Sequence, residues 1–344
     1  MKYKIALIRG DGIGPEQAEA TIHVLSTLKN VLNLNFEFIE AEAGDNCKKK
    51  RGTPLPDETI KILKKSHACL KGPVGETAAD VIVKLRQMFD LYANVRPAKS
   101  LPNTPFLKPN IDLVIVRENT EGLYKGYEYE FDGVAVALRV ITRRGCERIA
   151  RYAFDLARNR RRKVVAVHKA NVMRVTCGLF ADTCREISRD YPDVSYSEMY
   201  VDAMAMNLIR NPEKFDVIVT TNMFGDILSD EAAQLTGGLG LAPAANMGET
   251  YAIFEPVHGC APDIAGKGIA NPISMILSAA MMFEWLAEKY SDKKCLQASK
   301  LIEEGVKRVL EEGKVLTPDL GGNATTRDFG EEVARMLERV AGKA

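Results

Sequence analysis

No stretch of about 18 consecutive apolar residues occurs anywhere in the chain, so no membrane-spanning helix is expected. The opening MKYKIALIRG meets glycine too soon after too short an apolar run to read as a signal peptide. Cysteine pairing is also missing: the seven cysteines are odd in number, scattered and without a C-x-x-C pair, which excludes a disulfide framework and a thiolate zinc site. A soluble protein of the reducing cytoplasm is therefore expected. Excess charge of either sign is missing too. With 47 Lys and Arg against 46 Asp and Glu, the net charge of +1 gives no general attraction to nucleic acid or to an anionic membrane. Neither is expected as a partner, and any preference for anionic substrates must be local. The one charge run, Arg158 to Lys163, reads as a solvated helix end, where cations suit the macrodipole. No internal repeat is visible.

What is present is ordinary globular composition, 46% hydrophobic and 27% charged. Single cores stop growing near about 250–300 residues, so a 344-residue chain predicts two domains. Short apolar runs alternate with helical periodicity: strands near 3–8, 36–40, 68–70, 111–116, 164–167, 195–201 and 216–219, and helices near 57–65, 146–159, 176–189 and 203–210. Such alternation predicts an α/β fold with a largely parallel sheet. A proline cluster at Pro102, Pro105 and Pro109 marks a crossing between domains. Gly133 to Ile141 reads as a strand without a companion helix, and three amphipathic helices close the chain beyond a Gly-, Pro- and Asn-rich region from Gly237 to Asn271. The loop Gly10-Asp11-Gly12-Ile13-Gly14-Pro15 is similar to a G-x-G-x-x-G dinucleotide fingerprint. Its third glycine comes one residue early and a proline opens the helix, so only a close backbone approach to a ligand is read from it.

The most informative stretch is FDVIVTTNMFGDILSDEAAQLTGGLG, from Phe215 to Gly240. It reads as strand, tight turn and helix, with Phe224, Ile227, Leu228 and Leu235 on one face and Asp226 and Asp230 side by side opposite. Like charges at that spacing cost about 0.2–0.5 kcal/mol in an isolated helix. A solvated face near a helix N-terminus tolerates such a pair; carboxylate oxygens holding a hard divalent cation would compensate it. Three arginines supply cations for an anion: Arg86 on a helix, and Arg96 and Arg117 at the C-terminal ends of strands, where open α/β sheets place ligands. Singly each is an ordinary surface or ion-pair arginine; together they could clamp carboxylates bidentately. Tyr124 lies in the polar turn RENTEGLYKG, Lys169 follows the strand VVAVHK, and Asp202 ends SYSEMYVD. A phenol near cations can donate a proton, and a lysine facing a cationic pocket can serve as a base.

The blocks IRGDGIGPE, DLYANVRPAKS, VIVRENTEGLY, HKANVMR, VDAMAMN, NMFGDILSDEAA and FEPVHGCAPDIAGKGIANP, spread over nearly the whole length, resemble the β-decarboxylating dehydrogenases, which act on 3-isopropylmalate, isocitrate, homoisocitrate or tartrate. The resemblance implies a two-domain, non-Rossmann α/β fold with a mixed, mostly parallel sheet. Residues 1–98 and 237–344 would form the cofactor-side domain, 99–236 the metal and dimerisation domain, and the segment 126–141 an arm exchanged in a homodimer. It implies Mg2+ or Mn2+ on Asp226 and Asp230, with Asp202 supplied by the other subunit, and Arg86, Arg96 and Arg117 on the carboxylates of a 2-hydroxy di- or tricarboxylate. Lys169, also from the other subunit, would help deprotonate the hydroxyl, and Tyr124 would protonate C3. NAD would lie along Glu255, His258, Gly259, Ala261, Asp263, Ile264 and Asn271, with the acid at Asp263 favouring NAD over NADP. Cys260 stands where relatives often have serine. The substrate expectation is homoisocitrate first, on RENTEG and DLYANVRP, and 3-isopropylmalate second, because Val81, Ile82 and Val83 before Arg86 suit an alkyl group. Val83 is taken as the contact. A non-catalytic regulatory subunit or a plain binding module are the remaining alternatives.

Overall fold

The chain opens with three parallel strands, β1 (Tyr3–Ile8), β2 (Phe36–Glu40) and β3 (Ala68–Lys71). Helices α1 (Gly14–Leu32), α2 (Asp45–Arg51) and α3 (Asp57–Lys65) connect them, and α4 (Lys84–Met88) follows one π turn over Ala79–Val83. The structure is a computed structural model that describes residues 1–342. The middle of the chain adds β4 (Ala93–Lys99), β5 (Asp112–Glu118), a hairpin of β6 (Glu128–Phe131) and β7 (Val134–Ala137), then α5 (Arg143–Arg158), β8 (Lys163–His168), α6 (Thr176–Ser188), β9 (Ser195–Tyr200), α7 (Val201–Arg210), β10 (Val217–Thr220) and α8 (Asn222–Leu235). Beyond it come β11 (Pro243–Met247), β12 (Ala252–Pro256), α9 (Ile273–Tyr290), α10 (Lys293–Glu312) and α11 (Thr326–Ala341).

All strands except the hairpin join one ten-stranded sheet in the order β2-β1-β3-β12-β11-β4-β5-β10-β8-β9. Both flanks are parallel, while β11 runs antiparallel to β12 and to β4, and β4 antiparallel to β5. The mixed sheet agrees with the expected α/β class. Strands from the two ends of the chain share one flank, and those of its middle share the other. The central strands are buried on both faces, as near-continuous apolar runs such as Val217-Ile218-Val219 require.

Five sequence expectations change. Arg96 lies inside β4, not at its end, and β4 is antiparallel to its neighbours, so the rule about C-terminal strand ends does not apply to it. Ile227 is 61% exposed: only Phe224, Leu228 and Leu235 of the proposed apolar face turn inward. The strand read over 133–141 is a four-residue arm of an exposed hairpin, because its mate is the local 128–131 and not the main sheet. The Gly-, Pro- and Asn-rich region hides two buried strands, β11 and β12. The charge run is also not merely solvated: Arg158 pairs with Asp193, and Arg160 with Asp112 and Asp216.

The first glycine loop is shaped by packing. A Cβ on Gly10 would lie 2.0 Å from the Pro73 carbonyl oxygen and one on Gly12 1.9 Å from that of Cys260, and both glycines have positive φ. Buried Asp11 between them accepts the backbone N–H groups of Asp45 and Asn46 at 2.8 and 2.9 Å. That carboxylate satisfies donors at the start of α2. No helix among the described residues is long and apolar enough to cross a membrane.

Candidate active site

The three arginines converge as the sequence predicts. Asn94 and Arg96 face the same side of β4, two residues apart, and Asn94 sits directly opposite Asn246 of β11. Asn246 Oδ1 collects N–H groups from Asn94 at 2.8 Å, Asn119 at 3.0 Å and Arg86 Nε at 2.9 Å. Glu255, buried on β12, accepts Lys71 Nζ at 2.6 Å and the Asn246 amide at 2.8 Å, and lies 3.4 Å from Arg86 Nη2. Burial alone would raise the Glu255 carboxyl, but the charges of Lys71 and Arg86 outweigh it and hold it at about 2. Glu255 therefore fixes Arg86 and neutralises Lys71.

Arg96 donates to Asn94 at 2.6 Å and to Ser229 at 2.7 Å, and its Nη1 lies 3.2 Å from both Asp226 and Asp230. Arg117, 1% exposed, donates from Nε to Asn222 at 2.9 Å and from Nη1 to Asp226. Its Nη2 is buried without a partner. Burial first, then repulsion from Arg96 and Arg86, lowers the Arg117 guanidinium to about 9. This crowding of cations is what an anionic ligand relieves. Gly225 makes it possible, since a Cβ there would stand 2.6 Å from Arg117 Cβ.

Tyr124 donates its O–H to Asp226, and its ring lies 5.1 Å from the Arg117 guanidinium carbon. Burial and that hydrogen bond both raise the phenol. Asp226 is kept low, Arg117 and Arg96 prevailing over burial, whereas burial raises Asp230 against the pull of Arg96. The two carboxylates thus sit on one face of α8 as predicted. Lys169 and Asp202 follow β8 and β9, the two strands outward of β10, and Asp202 lies in the first turn of α7 rather than in the strand. Lys169 Nζ and Asp202 Oδ1 are 2.5 Å apart. They pair with each other, and among the described residues no three His, Cys, Asp or Glu side chains group as metal ligands. Asp202 therefore does not complete the Asp226 and Asp230 set within its own chain.

A cavity of about 150 Å3 is lined by Arg86, Arg96, Lys71 and Glu255, with Val74, Ala78 and Ile82 as an apolar wall. Ile82 reaches it; Val83, one residue on, is half-buried and outside that lining. His258 and Gly259 line this cavity and a second one of about 560 Å3, which also takes in Ala261, Ile264 and Asn271. Asp263 is exposed and does not line it.

Sequence reading missed Gln17 and Asp319 in the larger cavity. Gln17 Nε2 donates to the Asn271 carbonyl at 2.7 Å and stands 3.0 Å from His258 Nε2. His258 Nδ1 is 2.8 Å from the Gly259 carbonyl, which can only accept, so the ring proton is on Nδ1 and Nε2 accepts from Gln17 and Ser274. Burial lowers the imidazole's pKa below its ordinary value. No local pattern marks Gln17, a polar residue inside the first helix. Asn94 and Asn246, amides inside apolar strands, were a usable signal.

The profile of the isocitrate/isopropylmalate dehydrogenases matches residues 4–333. A 3-isopropylmalate dehydrogenase of Sulfurisphaera tokodaii is 53% identical over 98% of this chain and 100% of its own length, and one from Archaeoglobus fulgidus 55% over 97% and 99%. An isocitrate/homoisocitrate dehydrogenase of Thermus thermophilus is 51% identical over 98% and 99%. The crystal structure of isocitrate dehydrogenase from Methylococcus capsulatus superposes with a TM-score of 0.90 at 45% identity, covering 97% of this chain and 99% of that one. This chain accordingly belongs to the isocitrate/isopropylmalate dehydrogenase family, the NAD- and metal-dependent oxidoreductases that oxidatively decarboxylate 3-substituted malates.

Proposed function

We propose that the protein is an NAD-dependent 3-isopropylmalate dehydrogenase, with homoisocitrate the second reading. The observation that carries this order is the wall of Val74, Ala78 and Ile82 facing Arg86 and Arg96. An isopropyl group is compatible with that wall. The further carboxylate of homoisocitrate would need a free cation there, and Lys71 is already held by Glu255. The higher identities to relatives named for isopropylmalate support the same order. It reverses the expectation drawn from RENTEG and DLYANVRP.

Arg86, Arg96 and Arg117 bind the malate carboxylates, which takes up the unpartnered Arg117 Nη2. The larger cavity, with His258, Gly259, Ala261, Ile264 and Asn271, would hold NAD, His258 and Gly259 being shared with the cavity of the arginines. Asp226 and Asp230 fit a divalent cation: they are carboxylates on one helix face, one of them held unfavourably high by burial. They lack a third oxygen ligand of their own chain, and Asp202 of the partner subunit would supply it. When bound, the two cofactors supply hydride acceptance and Lewis-acid polarisation. Lys169 of the partner subunit takes the 2-hydroxyl proton. Tyr124, kept protonated by its raised pKa, gives its proton to C3 after CO2 leaves.

A homodimer is supported by the apolar surface around these groups. Val172, Val175, Met206, Ile209 and Ile227 are between 58% and 84% exposed, and the hairpin shows Tyr129 and Phe131 to solvent. We assign the domains as 1–98 with 237–344, and 99–236. Side-by-side kinetics test the substrate: kcat/KM for 3-isopropylmalate should exceed that for homoisocitrate and isocitrate by more than about tenfold. Equal values, or a preference for homoisocitrate, would overturn the order.

A further inference from the structure

A further cavity lies on the other side of the strands that carry the active-site groups. Its volume is about 650 Å3, within the range of small-molecule sites. Adjacent residues of a strand point to opposite faces, and here the two cavities divide them. On β4, Arg96 lines the arginine cavity and Pro97 the rear one; on β11, Ala244 lines the first and Pro243 the second. Both run beside the crossings between the two flanks of the sheet.

The rear cavity is built rather than left between loose segments. Asn103 Nδ2 ties the loop after β4 to the Leu310 carbonyl of α10 at 2.8 Å, Ser100 closes that loop onto Lys108 at 2.9 Å, and Leu107 donates to the Leu235 carbonyl at 2.9 Å. Leu101, Leu241, Leu277 and Met281 give it an apolar floor. Its charges are not all paired. Glu304 is engaged by Arg308 at 2.6 Å and Lys307 by Glu311 at 3.5 Å, whereas Lys99 and Lys300 have no carboxylate within ion-pairing distance among the described residues. Glu303 is the only other charge in the lining; Glu284 and Asp112 stand close by, and Asp112, opposite Lys99 across β4 and β5, is engaged by Arg160 at 2.7 Å.

We propose that this cavity is a second ligand site for a small monocarboxylate with an apolar body, whose occupancy is felt at Arg96 through the shared strands. The carboxylate meets Lys99 and Lys300, and the apolar body covers Leu277 and Met281. Nothing in this depends on which malate is oxidised, because binding is read in the absence of substrate and NAD. Octanoate is the probe: it has neither a 2-hydroxyl nor a 2-oxo group.

Calorimetry on the full chain should show saturable binding, one octanoate per chain, at or below about 1 mM. Lys300→Glu and Met281→Lys, at an exposed and a half-buried position, should each weaken it at least about tenfold, with circular dichroism confirming the fold. In the wild type saturating octanoate should change KM for the malate substrate at least about twofold, and Lys300→Glu should abolish the change. No saturable binding overturns the proposal. So does binding or a KM effect that survives both substitutions, which would place the probe in the arginine cavity, and so does binding that leaves KM unmoved.

Discussion

Gly225 shows how one missing methyl sets the position of a buried cation. In a helix interior alanine ordinarily stabilises relative to glycine by up to about 1 kcal/mol. At this position a Cβ meets Arg117 Cβ at 2.6 Å, so the guanidinium must move or the helix must shift. Gly225→Ala should therefore reverse the usual sign, destabilising by roughly 1–3 kcal/mol in urea unfolding, and raise KM for the malate substrate. A variant as stable as the wild type with unchanged KM would show that Arg117 is not so confined. Glu255 makes a second prediction at this scale. Its carboxyl is lowered from 4.5 to about 2 in the folded protein. A group depressed in this way contributes stability that is fully present above the unfolded value and is lost as pH falls from about 4.5 toward 2, at most about 3 kcal/mol. Glu255→Gln alone would strand buried Lys71, so the informative variant is Glu255→Gln with Lys71→Met. Its stability should fall less steeply than the wild type's over that window. Parallel curves would mean that the pair is not what acid breaks.

At the scale of elements, much of the fold was legible because period and burial coincide. β1, β2 and α3 fall where their patterns place them, and the Asp226 and Asp230 pair was readable from helical spacing alone. The misreadings have physical causes. β11, with Pro243 and Asn246, is composed as a loop, and β12 is a short apolar run inside the same Gly-, Pro- and Asn-rich stretch; neighbours on both sides draw them into the sheet, since tertiary pairing overrides propensity. Ile227 fits the apolar period and is nevertheless exposed, because α8 turns one apolar position away from its own core. Gln17 and Asp319 could not be found, since what selects them is a cavity assembled from segments distant in sequence. The hairpin β6–β7 is the element least explained by its own chain: every residue of both strands is exposed, and an isolated two-stranded ribbon is marginally stable. Replacing residues 127–138 by a short turn should leave the ten-stranded sheet folded by circular dichroism but lower the mass seen in sedimentation toward that of one chain. An unchanged mass would remove the hairpin from the interface.

The whole molecule raises the question of how many chains make one active site. Arg86, Arg96, Arg117, Tyr124, Asp226 and Asp230 converge within one chain, while Lys169 and Asp202 pair with each other on the next strands outward. If each site is finished by the partner, two defects in different chains can be segregated. Lys169→Met and Asp226→Asn should each be inactive as a homodimer. In a mixed dimer one site would combine the intact Asp226 of the first variant with the intact Lys169 of the second, and the other site would carry both defects. Random reassortment makes half of the dimers mixed, each with one working site of two, so activity should return to about a quarter of the wild-type value per chain. Reassortment is checked independently by native mass spectrometry on chains of unequal tag length. Mixed dimers that form and remain inactive would place Lys169 in the same chain's site as Asp226, and the exposed apolar faces of α7 and α8 would then need another occupant.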